Sequence, residues 1–238
     1  MPSQNHFPLP AGTPIDIHCH RYRAGGGLQI LSLDTHELLH SRNQNPIECI
    51  PDDCYFSLGI HPWFIDRQDM ETACKTLDAL QHHPQLLAFG ECGLDKCIAT
   101  PMVRQIQLFS RQLELAERIG KPVIIHCVRA HAELLQLKKS ISPSQAWILH
   151  GFSGKPALAA QLIEHGCYLS FGKALLQSDA RVQQTLVSVP IERLFLETDA
   201  ADASIETIHA AAATIRSLDP ADLCRQIHRN FLSVFLDD

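Results

Sequence analysis

Residues 86–126 read LLAFGECGLDKCIATPMVRQIQLFSRQLELAERIGKPVIIH. An apolar run, Leu86 to Gly90, ends at a carboxylate, Glu91. An amphipathic stretch, Met102 to Ile119, then places Ile106, Phe109, Leu113 and Ala116 or Glu117 along one helical face, and a second apolar run, Pro122 to Ile125, ends at His126. The pattern passes from strand to helix and back to strand. Further short apolar runs lie on either side: Pro14 to Cys19, Leu28 to Leu33, Tyr55 to Ile60, Ala146 to Leu149, Cys167 to Phe171 and Arg193 to Leu196. From the third run onward the gaps carry helical patterns. Eight strands with intervening helices in 238 residues predict an α/β protein with one parallel (β/α)8 TIM barrel, a single domain over residues 1–238, rather than two doubly wound domains. Only about eight residues separate the first two runs, too few for a crossover helix. The expected barrel is therefore distorted, with its first crossover helix missing or reduced. Near the end, Asp219 is a candidate N-cap, Pro220 sits at the first helical position, and Leu223, Ile227, Phe231 and Val234 follow at helical spacing, predicting an outer helix over Pro220 to Phe235.

With 45% hydrophobic and 19% charged residues, the composition is that of a globular protein with a substantial core. The formal net charge of −6 gives no general field toward nucleic acid or anionic lipid, so a polyanionic substrate must be held locally. No apolar run approaches a membrane span, and Met1 to Gly12 carries no Lys or Arg and does not read as a signal peptide. Nine cysteines form an odd set without a C-x-x-C pair, which favours reduced thiols and a cytoplasmic location. No Gly-x-Ser-x-Gly elbow, phosphate-cradling loop or dinucleotide fingerprint occurs, so serine hydrolases and nucleotide-cofactor enzymes have no support.

Fourteen histidines are the unusual count, and position decides which of them matter. In Asp16-Ile-His-Cys-His20, strand alternation turns His18 and His20 the same way, so both imidazoles can grip one metal. Composition alone supplies about one such pair by chance. The pair becomes informative because Glu91, His126, His150 and Asp199 stand at or just beyond the ends of four further strands, and in a barrel those ends converge on one face. Four histidines and two carboxylates suffice for a two-ion site with open positions, whereas burying them without a cation would demand many compensating partners. His61, in Gly59-Ile-His-Pro-Trp63, faces the same end and reads equally as a substrate contact or as local loop packing. Asp16 and Glu197 share the inward parity of His20 and Asp199, and read either as groups that orient the ligands or as structural hydrogen-bonding residues. His6, His36, His40, His82, His83, His131, His165, His209 and His228 read as solvated or packed, and Cys19, Cys92 and Cys127 as packing residues beneath the helices.

Together these stretches resemble the TatD family of metal-dependent deoxyribonucleases, within the wider amidohydrolase-like barrels. The resemblance rests on Asp16-Ile-His-Cys-His20, Gly59-Ile-His-Pro62, Gly90-Glu-Cys-Gly-Leu-Asp95, Pro122-Val-Ile-Ile-His126, His150-Gly-Phe-Ser-Gly154 and Glu197-Thr-Asp199. It implies a two-metal phosphodiesterase acting on DNA, in which His18, His20 and Asp199 hold one ion, His126 and His150 the other, Glu91 bridges, and Asp199 takes the proton of the attacking water. Zinc, magnesium and manganese all suit that donor set. The chain departs from the family pattern on the substrate side. Val128 occupies the position of the usual arginine, Lys96 that of an aromatic residue, Ala200-Ala201 replace a proline, and the loop beyond is shortened. Lys96 and Arg129 are left as the expected cations near the scissile phosphate. The enzyme alternative is a metallohydrolase of a small phosphoester, ester or amide; the non-enzyme alternative is a catalytically silent metal-binding protein.

Overall fold

The computed structural model describes residues 12–41 and 46–236; His6 and most of the Met1 to Gly12 leader lie outside them. Eight parallel strands, β1 (Ile15–Cys19), β2 (Leu28–Asp34), β3 (Tyr55–Gly59), β4 (Leu86–Asp95), β5 (Val123–Val128), β6 (Trp147–Leu149), β7 (Cys167–Phe171) and β8 (Leu194–Leu196), pair in chain order. The two edges meet where Cys19 bridges Asp199. There the Asp199 N–H donates to the His18 carbonyl at 2.9 Å and the His20 N–H donates to the Asp199 carbonyl at 3.2 Å. The expected TIM barrel is thus formed, nearly closed, with its seam at β8 and β1.

Helices α1 (Thr35–His40), α2 (Met70–Leu80), α3 (Met102–Ile119), α4 (His131–Ile141), α5 (Pro156–Glu164), α6 (Ala180–Ser188), α7 (Ile205–Arg216) and α8 (Pro220–Phe231) complete the described fold. The chain passes from β1 to β2 without a helix, as the short spacing requires. Helical structure begins one connection earlier than its periodicity is visible: α1 follows β2 directly, started by the Asp34 carboxylate accepting the His36 N–H, and is too short to display an amphipathic repeat. At the other end, α8 stops at Phe231 and the chain continues as a π-helical turn over Leu232–Leu236, which stacks Phe235 on Phe231 at 4.9 Å between ring centroids.

Strand β4 runs to Asp95, five residues past the end of its apolar run. Gly90 and Gly93 allow this, with φ of +130° and +148°: a Cβ on Gly90 would lie 2.2 Å from the Ile124 carbonyl oxygen, and one on Gly93 2.1 Å from that of His126. Glycine here permits close approach of β4 to β5 rather than ending the strand.

Helix α3 explains how the strand ends are held. Phe109, Leu113 and Ala116 are buried as the apolar face requires, but Ile106 is only partly buried, and Gln105 and Gln112 go inside. The Gln112 carboxamide accepts the Ile60 N–H at 2.7 Å and donates to the Ile60 carbonyl at 3.3 Å. That of Gln105 accepts the Asp95 N–H at 2.7 Å and donates to the carbonyls of Asp95 and Thr100 at 2.9 and 2.8 Å. Each glutamine satisfies backbone groups where the sheet ladder runs out, beside His61 in one case and the end of β4 in the other.

Gln112→Leu keeps the volume but strips both partners from the buried Ile60 peptide groups, and is expected to cost about 2–4 kcal/mol. Urea unfolding should show a lowered midpoint at unchanged slope; an unaltered midpoint would remove this role from Gln112.

Candidate metal centre

The strand order carries the ligand-type side chains to one end of the barrel. His18 lies in β1 and His20 just beyond it; Glu91 lies in β4, His126 in β5, His150 follows β6 and Asp199 follows β8. They surround one carboxylate. Glu91 Oε1 stands 2.8 Å from His126 Nδ1, 2.8 Å from His150 Nε2 and 3.0 Å from His61 Nε2, while Oε2 stands 3.3 Å from His18 Nε2 and 3.6 Å from His20 Nε2. Asp199 closes the group from the seam, with Oδ1 3.4 Å from His20 Nε2 and Oδ2 3.6 Å from Lys173 Nζ.

Burial would raise the Glu91 carboxyl, but the charge of His150 and hydrogen bonds from His126 and His150 outweigh it and hold Glu91 well below the usual carboxylate range. For His150, burial opposes the charge, yet the charge of Glu91 and hydrogen bonding to Glu197 and Glu91 lift it well above an ordinary histidine. Asp199 is lowered to about 2, burial being overcome by the His20 hydrogen bond and the charge of His18. The hydrogen bond to Asp199 raises His20 against the effect of burial.

Two observations fit divalent ions to these residues. His18 is fully buried and neither of its ring nitrogens has a hydrogen-bond partner among the described residues, a costly arrangement for a neutral imidazole facing no cation. In addition, ligand atoms lie within 4.8 Å of one another in each of three groups: His18, His20 and Asp199; His18, Glu91 and His150; His61, Glu91 and His126. All six expected ligands therefore come together. The grouping differs from expectation in one respect, since His126 is grouped with His61 and His150 with His18.

His61 packs its own loop and also faces Glu91. Its Nδ1 accepts the Trp63 N–H at 3.1 Å, which starts the 3-10 turn Pro62–Phe64 and leaves Nε2 as the protonated nitrogen facing Glu91. Burial lowers its pKa. Glu197, fully buried, accepts the Gly151 N–H at 2.6 Å and lies 3.4 Å from His150 Nδ1. Asp16 touches no ring. Its carboxylate accepts the N–H and the hydroxyl of Thr198 at 3.0 and 2.6 Å, and the His18 N–H at 3.4 Å, pinning the seam instead.

The expected cations stand elsewhere. Lys96 is drawn 2.6 Å from Glu133, and neither it nor Arg129 lines the cavity of about 440 Å³ that opens onto Glu91. Lys173, just beyond β7, does line it, and sequence reasoning missed it because β7 ends without a histidine or carboxylate. Asp95 was also missed. Its Oδ2 lies 3.3 Å from His126 Nε2 and accepts the Trp63 indole N–H at 2.8 Å. It shares the strand parity of Glu91, a signal hidden by ending the strand at Gly90. Cys19 and Cys92 are buried packing residues, Cys127 is half-buried, and all nine cysteines are free.

A family model described as TatD related DNase matches residues 14–236. The chain belongs to the TatD family. It is 36% identical over 151 residues to the human 3'-5' RNA nuclease TATDN2, covering 60% of this chain and 20% of that protein. It is 34% identical over 158 residues to the 3'-5' ssDNA/RNA exonuclease TatD of Edwardsiella piscicida, covering 64% and 60%. The matched stretch therefore spans a fifth of the human relative and about three-fifths of the bacterial one. Among solved structures, the TatD homolog YjjV from Escherichia coli K12 superposes with a TM-score of 0.79 at 22% identity, over 96% of this chain and 99% of that one, and shows the shared fold. No helix of the described residues is long and apolar enough to cross a membrane.

Glu197→Gln keeps the acceptor for Gly151 but removes the charge beside His150, and is expected to weaken metal binding about ten- to a hundredfold. Titration of the metal-free protein with zinc or manganese would measure this; unchanged affinity would make Glu197 purely structural.

Proposed function

We propose that the chain is a two-metal hydrolase that cleaves phosphodiester bonds of nucleic acid, DNA being the expected substrate, and that residues 1–238 act as one domain in the cytoplasm. The observation that carries this reading is the single buried carboxylate, Glu91, with five imidazoles within 3.6 Å and an ionised Asp199 beside them at the floor of an open cavity. Names of the relatives, nucleases of single-stranded DNA and RNA, support the substrate class.

In this reading His18, His20 and Asp199 would hold one ion and His126 and His150 the other, with Glu91 shared between them and His61 beside Glu91. Bound divalent ions would supply a nucleophilic water at neutral pH and charge stabilisation for the attacking and leaving oxygens. The protein's own groups do the rest. Glu91 stays ionised under all these imidazoles and so fixes the charge that the ions must balance. Glu197 and Asp95 fix the orientation of His150 and His126. Asp199 turns Oδ1 to the histidines and Oδ2 to the cavity, where Oδ2 receives the proton of the attacking water. Lys173, 3.6 Å from that oxygen and lining the same cavity, holds a phosphate oxygen. The imidazoles suit zinc, while the carboxylates and phosphodiester chemistry also admit magnesium or manganese.

Asp199→Asn is expected to lower turnover of a single-stranded oligonucleotide at least a hundredfold at saturating metal while leaving the fold intact, since an amide cannot take the proton. Wild-type turnover in that variant would end this role. Lys173→Ala should weaken oligonucleotide binding and reduce the slope of log affinity against log salt by about 0.7, one single-strand phosphate contact. Hydrolysis of small phosphoesters or amides with no nucleic acid cut under any divalent metal would replace the substrate class, and metal binding without any turnover would replace the enzyme reading.

A further inference from the structure

Trp63 is a large apolar side chain left 55% exposed at the lip of the cavity that contains Glu91, His126 and Asp199. It is held from two sides. Its backbone N–H is bound by His61 Nδ1 at 3.1 Å, and its indole N–H donates at 2.8 Å to Asp95 Oδ2, the oxygen that also lies 3.3 Å from His126. The indole meets the rings of His61 and His126 nearly at right angles, at 84° and 75°, with centroids 5.0 and 5.8 Å away. A side chain this exposed ordinarily samples several rotamers. This one is tied to the same carboxylate that orients a proposed ligand, so its open face has a fixed position relative to the Glu91 cluster. Leu33, Phe64 and Ala200 line the same cavity and give it an apolar flank beside the charged floor.

We propose that Trp63 is a base-stacking platform, holding one unpaired nucleobase of a strand whose scissile phosphate lies at the Glu91 cluster. This rests on the nuclease reading and adds the feature that makes the site distinguish a nucleic acid from other phosphodiesters. Every nucleobase has a π-face, so such a platform is tolerant of sequence. It also requires that the base be out of a duplex stack, which selects single-stranded or frayed ends. Because the indole is already oriented, binding loses little of its conformational freedom.

The experiment compares a short single-stranded oligonucleotide with an abasic oligomer of the same length, binding being measured with calcium in place of a metal that supports turnover. Wild type should bind the base-bearing strand about tenfold more tightly. Trp63→Ala should abolish that preference and raise KM by a similar factor with a smaller effect on kcat, and Trp63→Phe should restore most of it. The chain has two tryptophans and Trp147 is fully buried, out of contact with a bound strand, so the change in indole fluorescence on binding reports Trp63 above a constant Trp147 background. Stacking should quench it with the base-bearing strand and not with the abasic one, and Trp63→Phe should lose the quench. A wild type that cuts the oligonucleotide while binding both strands equally, or a Trp63→Ala variant that keeps the tenfold preference, overturns the platform and leaves the nuclease reading standing. A wild type that neither binds nor cuts either strand overturns both.

Discussion

The barrel mouth is organised by one electrostatic constraint: a carboxylate buried among imidazoles must remain charged. Glu91 is 7% exposed, and a bare carboxylate at that depth would be strongly destabilising. Five imidazoles, two from the end of β1, one each from the ends of β5 and β6 and one from the loop after β3, converge on its two oxygens, with Glu197, Asp95, the Trp63 N–H and the seam beside them. Removing the charge at the centre therefore affects more than one contact, because the imidazoles are oriented by it and by their outer partners together.

The same constraint accounts for how a chain of net charge −6 could take the proposed polyanionic substrate. Positive charge is concentrated where the cluster takes up cations, and Lys173 is the lysine of the described residues that lines the same cavity. The rest of the surface needs no basic track. Lys96, which lies close to the site in sequence, is neutralised by Glu133 on α4.

Long-period features were legible from the residues. The alternation of strand and helix, the extent of α3 and the convergence of six ligand-type residues follow from periodicities of two and 3.6 and from the parallel order of the strands. What could not be read depends on contacts between distant segments. Gly90 and Gly93 look like strand breakers in one dimension and are close-approach residues once β5 lies alongside. Gln105 and Gln112 look like the polar side of α3 until the frayed strand ends they serve are in place. Lys173 carries no motif, and its role depends on β7 and β8 being neighbours. Asp16 and Glu197 have the same parity and chemistry in sequence, yet one holds backbone across the seam and the other binds the Gly151 N–H beside the His150 ring.

The seam has a consequence for the order in which the molecule is assembled. Asp16 and Thr198 are 182 residues apart in sequence, and the bonds between them join the first strand to the last. Contacts of that separation carry the largest chain-closure entropy and form after the local β–α–β units have docked. His18, His20 and Asp199 lie on either side of this join, so their triad does not exist in a nascent or partly folded chain. If these residues hold an ion as proposed, an emerging protein that lacks β8 would present no more than a partial ligand set, and full capture of metal would wait until β8 has zipped against β1.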